Sequence, residues 1–255
     1  MSSPSFTETR PKLIFFGDPR GDFEPIVRTI LRLRPEAIVL LGDIQARQPL
    51  QLELAAVLEL TEVCFIHGNH DTDTELHYDN LWGSSLAGRN LHGRVVNVGG
   101  YRIAGLGGIF REMIWDPKYP DTEPAVESAE VLRRTTKASD RWRGGIPLRH
   151  HSTIFKGEFT RLSRERADVL VTHEGLGGLP HGNAAVDALA LSMGVGLVVH
   201  GHLHMDINYM RDGRLNPDSP FLAYGVDQGS YLCWSPGSDG MSRPVRATDV
   251  YGGGT

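Results

Sequence analysis

Cysteine is scarce in this chain of 255 residues: only Cys64 and Cys233 are present. Two cysteines make no disulfide framework and fit a reducing compartment. Cys64, inside the apolar run Val63–Ile66, reads as a small buried side chain. No apolar run is long enough for a membrane span, and Leu13–Phe16 is far too short to cross a bilayer. Met1–Pro11 is polar and lacks the apolar centre of a signal peptide, so the expectation is a cytoplasmic protein with no membrane partner. Charge of one sign is also lacking. With 26 basic and 31 acidic residues the net charge is −5, which excludes whole-chain attraction to nucleic acid or lipid. There is no internal repeat and no low-complexity block. What is present is an ordinary globular composition, 40% hydrophobic and 22% charged, in a length that suits one domain over 1–255.

Residues 1–11 read as a loose lead-in. Lys12–Phe16 then reads as a buried strand ended by Gly17. Asp22 is the expected cap of a helix with Pro25 in its first turn. Phe23, Ile26, Val27, Ile30 and Leu31 form its apolar face, and Pro35 stops it. Strands follow at Ala37–Leu41 and Val63–His67, with a Leu- and Ala-rich helix expected over 50–60 between them. This alternation argues a parallel sheet covered on both faces. Val95–Val98 and Tyr101–Leu106 flank Gly99-Gly100 and read as a hairpin. Residues 111–150 are rich in charge and proline without a clear period, and read as a lid-like insertion. Beyond it come a helix over about 152–165, a strand Asp168–Thr172, a helix Asn183–Met193 and a strand Gly196–His200. Antiparallel strands are expected between 206 and 234, and Gly252–Thr255 reads as a flexible tail.

Five polar clusters each follow a strand-like run. They are Gly17-Asp18-Pro19-Arg20-Gly21, Gly42-Asp43, Gly68-Asn69-His70-Asp71, Thr172-His173-Glu174-Gly175 and Gly201-His202-Leu203-His204. Ligands of α/β sheets bind outside the carboxyl ends of the strands, so these clusters are expected to converge on one edge. Carboxylates and imidazoles bind first-row divalent ions, and an amide oxygen can join them. A mixed oxygen and nitrogen set with a bridging carboxylate suits a two-metal hydrolase, whose ions lie roughly 3.5–4 Å apart. His67 and His200, which end buried strands, read as core histidines instead.

In this order the clusters resemble the motif series of calcineurin-like metallophosphoesterases, over residues 17–204. The resemblance implies a four-layer α/β/β/α sandwich with the metal site at one edge. It assigns one ion to Asp18, Asp43 and His204 and another to Asp43, Asn69, His173 and His202, with Asp43 bridging. It makes His70 the general acid or oxyanion partner and gives Asp71 the task of orienting His70. It also implies a phosphoester substrate, a phosphodiester ahead of a monoester, attacked by a metal-bound hydroxide. One or two divalent ions are implied, Mn²⁺ first, with Fe, Zn²⁺ and Ni²⁺ also suited to the donors.

Arg20 departs from the family pattern, which has a metal-binding His there. A guanidinium stays protonated and has no lone pair for a metal. Either the first ion is weak or missing, or Arg20 grips the substrate phosphate as a catalytic group. Gly105–Arg111 and Arg149-His150-His151 are faintly similar to lariat-debranching enzymes. Between Arg133 and Arg166 ten Lys or Arg face three acidic residues, a basic stretch that would attract a nucleotide or nucleic acid. Two other functions fit the same residues: a phosphomonoesterase on a nucleotide or phosphoprotein, and a non-catalytic scaffold with an altered metal site.

Overall fold

A computed structural model describes residues 11–118, 123–235 and 245–246. Residues 1–10 of the expected lead-in over 1–11, and the tail Gly252–Thr255, lie outside the described residues. The elements in chain order are β1 (Leu13–Phe16), α1 (Glu24–Leu33), β2 (Ala37–Leu41), α2 (Leu50–Glu53), β3 (Glu62–Ile66), α3 (Glu75–Trp82), β4 (Arg94–Val98) and β5 (Tyr101–Leu106). Then come α4 (Ala129–Thr135), α5 (Lys156–Leu162), β6 (Val169–Thr172), α6 (Ala184–Met193), β7 (Leu197–His200), β8 (Ile207–Asn208), β9 (Leu222–Gly225), β10 (Ser230–Trp234) and β11 (Val245–Arg246).

The strands form two sheets, in the orders β11-β10-β1-β2-β3 and β4-β5-β6-β7-β9-β8. Side chains alternate across a strand, and here the alternation sorts three apolar layers. Leu13 and Phe15 of β1 pack between the sheets with Val39, Leu41, Val171 and Val199. Ile14 and Phe16 turn outward onto Ile26 and Ile30 of α1. On the far side, Ala104, Leu170 and Val198 pack against Leu162 of α5 and Val186, Leu189 and Met193 of α6. Helix, sheet, sheet and helix thus stack as the four-layer α/β/β/α sandwich. Each fully buried Leu, Ile, Val or Phe contributes about 1.5–3 kcal/mol of apolar transfer. No helix among the described residues is long and apolar enough to cross a membrane.

β1, β2 and β3 run parallel, as do β5, β6, β7 and β9. Their carboxyl ends therefore leave each sheet on one side. Four local expectations change. Asp22 does not cap α1: Phe23 holds that place, with no side-chain cap bond. The Asp22 amide instead closes a tight turn onto the Pro19 carbonyl at 2.9 Å, and Pro25 has no N–H for a carboxylate to accept. The helix expected over 50–60 stops at Glu53 and continues as tight turns that still bury Leu54 and Val57. The helix expected over about 152–165 is only α5, after a 3₁₀ turn Leu148–Ser152. The strands after 206 do not form one antiparallel set, because β9 lies parallel to β7 while β10 crosses to the other sheet beside β1.

Within 111–150, α4 is capped by Ser128, whose Oγ accepts the Val131 N–H at 3.3 Å. The segment is clamped onto α3. Arg143 meets Asp79 at 2.6 Å and Glu75 at 3.1 Å, and Trp142 stands edge-on to Tyr78 at 4.7 Å.

Candidate metal centre

The loops after β1, β2, β3, β6 and β7 meet at the sheet edge. Asp18, Asp43 and His173 are fully buried there. One ligand atom each from Asp43, His173 and His202 lies within 4.8 Å of the others, and the same holds for Asp18, Asp43 and His204. Asp43 is common to both groups. The Asn69 amide oxygen is 3.1 Å from His173 Nε2, which is also 3.3 Å from Asp43 Oδ1. His173 Nδ1 donates to the Leu41 carbonyl at 2.8 Å, so its proton is committed and Nε2 is the nitrogen turned to the oxygens.

The backbone is bent to bring these side chains in. Asp18, Arg20, Asp43, His202 and His204 all have positive φ, at 32°, 48°, 46°, 65° and 50°. Such conformations cost on the order of 1–3 kcal/mol each and persist only where the surroundings hold them. Gly42, at φ +100°, supplies a close approach that no side chain allows: a Cβ there would lie 2.8 Å from the Gly68 nitrogen and against His173. Asp18 in turn accepts the His202 N–H at 3.1 Å and meets His204 Nε2 at 3.1 Å.

Electrostatics identify what the set lacks. Burial alone would raise the Asp43 pKa, but His173 and the His70 N–H outweigh it and hold the carboxyl below its usual range. Burial would likewise lower His173, yet Asp43 and then Asp18 push it up to about 9. Burial, then the His173 charge, takes His202 down to about 4, leaving a neutral ring with a lone pair. Two carboxylates, an amide oxygen and the neutral His202 ring thus converge, and they draw onto His173 a second proton that a metal ion would displace. That donor set fits a first-row divalent ion held by Asp43, Asn69, His173 and His202.

The second group of donors already faces a cation. Arg20 Nη2 lies 3.3 Å from Asp43 Oδ2 and 3.2 Å from His204 Nε2. Its Nε is buried without a hydrogen-bond partner among the described residues. All six expected ligands and Arg20 are therefore drawn to one place. His70 is beside them, its N–H donating to Asp43 Oδ1 at 2.9 Å.

Asp71 does not take the expected place. Its carboxylate is buried and accepts the Gln45 N–H at 2.7 Å and the Gly68 N–H at 2.8 Å, tying the β2 and β3 loops together. The 3₁₀ turn His70–Thr72 explains this, because adjacent residues on a helical turn point apart while residues three apart are neighbours. Asp73 is the partner that adjacency in sequence hides: its Oδ2 is 2.6 Å from His70 Nδ1. The i, i+3 spacing is its signal. Glu174 also escapes the sequence reading; it accepts the Phe110 N–H at 2.8 Å and anchors the start of the insertion beside the β6 loop. Of the core histidines, His200 is buried and bonded to the Tyr209 hydroxyl at 2.8 Å. His67 is buried with Nε2 unpartnered among the described residues.

The calcineurin-like phosphoesterase family model matches residues 11–206. The chain belongs to that family. It is accordingly a metal-dependent phosphoester hydrolase. An uncharacterized protein of Haemophilus influenzae is 40% identical over 197 residues, 77% of this chain and 85% of the relative. The crystal structure of TT1561 of Thermus thermophilus is similar to this phosphoesterase in fold. Its TM-score is 0.54 at 17% identity, covering 88% of this chain and 95% of that one. A dimetal phosphatase from Danio rerio matches with a TM-score of 0.49 at 13% identity, over 89% and 94% of the two chains. None of these matches bears on the lariat-debranching resemblance.

Proposed function

We propose that this phosphoesterase hydrolyses phosphodiesters with one divalent ion, manganese first, held by Asp43, Asn69, His173 and His202, while Arg20 takes the place of a second ion. The observation that carries the reading is the Arg20 guanidinium between Asp43 and His204. A bound divalent ion supplies an acidified water as nucleophile and Lewis-acid stabilisation of the phosphoryl oxygens. Arg20 offers N–H donors to the same oxygens without a lone pair of its own. Asp18 holds His204 and the His202 backbone, and so keeps both rings in place. His70, oriented by Asp73 through Nδ1, meets the leaving oxygen with Nε2 and delivers its proton.

Charge favours the diester. Two buried carboxylates, one divalent ion and one guanidinium leave a single net positive charge, matching the single negative charge of a phosphodiester. A monoester dianion would stay uncompensated. Residues 111–150 act as an insertion within one domain. The two thiols, which are not bonded to each other, support a cytoplasmic site of action.

The test is hydrolysis of bis(4-nitrophenyl) phosphate and of 4-nitrophenyl phosphate, before and after chelation and with Mn²⁺ restored. Chelator-sensitive activity that favours the bis-ester supports the reading. Faster mono-ester hydrolysis assigns a phosphomonoesterase instead, and metal binding without hydrolysis of either ester sinks the proposal.

A further inference from the structure

Beside the metal loops, the insertion borders an open cavity of about 920 Å³. Its apolar wall includes Phe110, Ile114 and Leu132, and it carries three cations, Arg111, Lys137 and Arg149, against two acids, Glu112 and Asp140. The arginines are held by neutral partners. Arg111 Nε donates to Thr153 Oγ1 at 3.0 Å and its Nη2 to the Arg149 carbonyl at 3.3 Å. Arg149 Nε donates to His150 Nε2 at 3.2 Å. His150 is buried, and its Nδ1 is 3.1 Å from Thr153 Oγ1. Neither guanidinium forms an ion pair among the described residues.

Two guanidiniums tied to one Thr-His framework repel each other. Burial, then the Arg149 charge, lowers the Arg111 pKa. Burial, then Arg149 and Arg111, takes His150 down to about 4, so the framework itself adds no charge. With no carboxylate paired directly to either guanidinium and Arg149 exposed, the two like charges are free to join an anion placed between them. The cavity also adjoins the reacting centre. Phe110 is bonded to Glu174, next to His173. Arg111 lies in the field of Asp73, the partner of His70. The turn Leu148–Ser152 packs on the His70–Thr72 turn, with Ser152 Oγ 2.8 Å from Thr72 Oγ1.

We propose that this cavity is a subsite for a second phosphate on the substrate, gripped by Arg111 and Arg149, with the organic body of the ester against the Phe110–Leu132 wall. The substrates are then small phosphodiesters that carry a further phosphate, and a nucleoside bisphosphate serves in the test as an inhibitor that presents two phosphates. This rests on the metal-dependent reading of the adjacent site. Paired forks on one phosphate give roughly a ten-fold gain or more in affinity.

The experiment measures the inhibition constants of adenosine 3′,5′-bisphosphate and adenosine 5′-monophosphate against bis(4-nitrophenyl) phosphate hydrolysis by the Mn²⁺-loaded protein. The bisphosphate should bind at least about ten-fold more tightly. That ratio should fall toward one in Arg111→Gln and in Arg149→Gln. It should stay at the wild-type value in Arg133→Gln, which removes a cation of the same segment outside the cavity. Equal inhibition by the two nucleotides in the wild type, or an unchanged ratio in both arginine variants, overturns the subsite. Should the loaded protein hydrolyse no aryl ester, it is the catalytic reading that fails. Calorimetric titration of the same two nucleotides into the loaded protein then gives the affinity ratio, and the same values support or overturn the subsite.

Discussion

Arg20 is the residue on which the proposed chemistry of the metal centre turns. In the sequence it stands out as the single departure from the family's ligand series, because no lone pair is available on a guanidinium. Its placement between Asp43 and His204 is not legible there, since it depends on the bent backbone at Asp18 and Arg20. His70 carries the opposite lesson. Its neighbour Asp71 is the natural orienting partner by adjacency, yet the turn geometry hands that work to Asp73. Replacing Asp73 by Ala should lower kcat about ten-fold or more for diesters with poorly leaving alcohols, where proton delivery counts. With 4-nitrophenolate leaving, the change should be small and the metal content unaltered. A uniform loss across leaving groups would mean Asp73 acts on the fold and not through His70.

At the scale of elements, β1, β2 and β6 are legible because each is buried on both faces and so reads as an unbroken apolar run. The hairpin at Gly99-Gly100 is legible from its turn residues, and its strands pair Val98 with Tyr101. The helices are less so. Turns after Glu53 bury Leu54 and Val57 as a longer helix would, so the apolar spacing alone does not separate the two. The return path after 206 is not legible, because pairing partners far apart in sequence decide it. What the elements do for the site is set by the loops that end them, and Gly42 is the tightest. Gly42→Ala should strain the β2 loop by about 1–3 kcal/mol and push apart Gly68 and His173. We expect a lower thermal midpoint together with metal binding too weak to survive dialysis, read by mass spectrometry. Full metal retention would mean the loop has slack that the contacts do not show.

For the whole molecule, stability and the site are coupled through the sheets. Leu170, fully buried between β6 and the outer helices, illustrates the cost of a defect. Leu170→Ala should cost about 2–5 kcal/mol, read as a lower denaturant midpoint at unchanged slope. An unaltered midpoint would contradict the packing described for that layer. The metal adds to this. Donors held by repelling carboxylates should be most stable when loaded, so chelation should lower the thermal midpoint. An ion at about a hundred times its dissociation constant contributes about 2.7 kcal/mol. A midpoint indifferent to chelator would mean that the converging donors hold no ion.

In the proposed site one guanidinium replaces one ion. The most direct measurement is metal content per chain after Mn²⁺ loading and dialysis, in the wild type and in Arg20→His. We expect close to one ion in the wild type and close to two in the variant, because the new imidazole restores a ligand and removes the competing charge. Two ions in the wild type, or no gain in the variant, would contradict it.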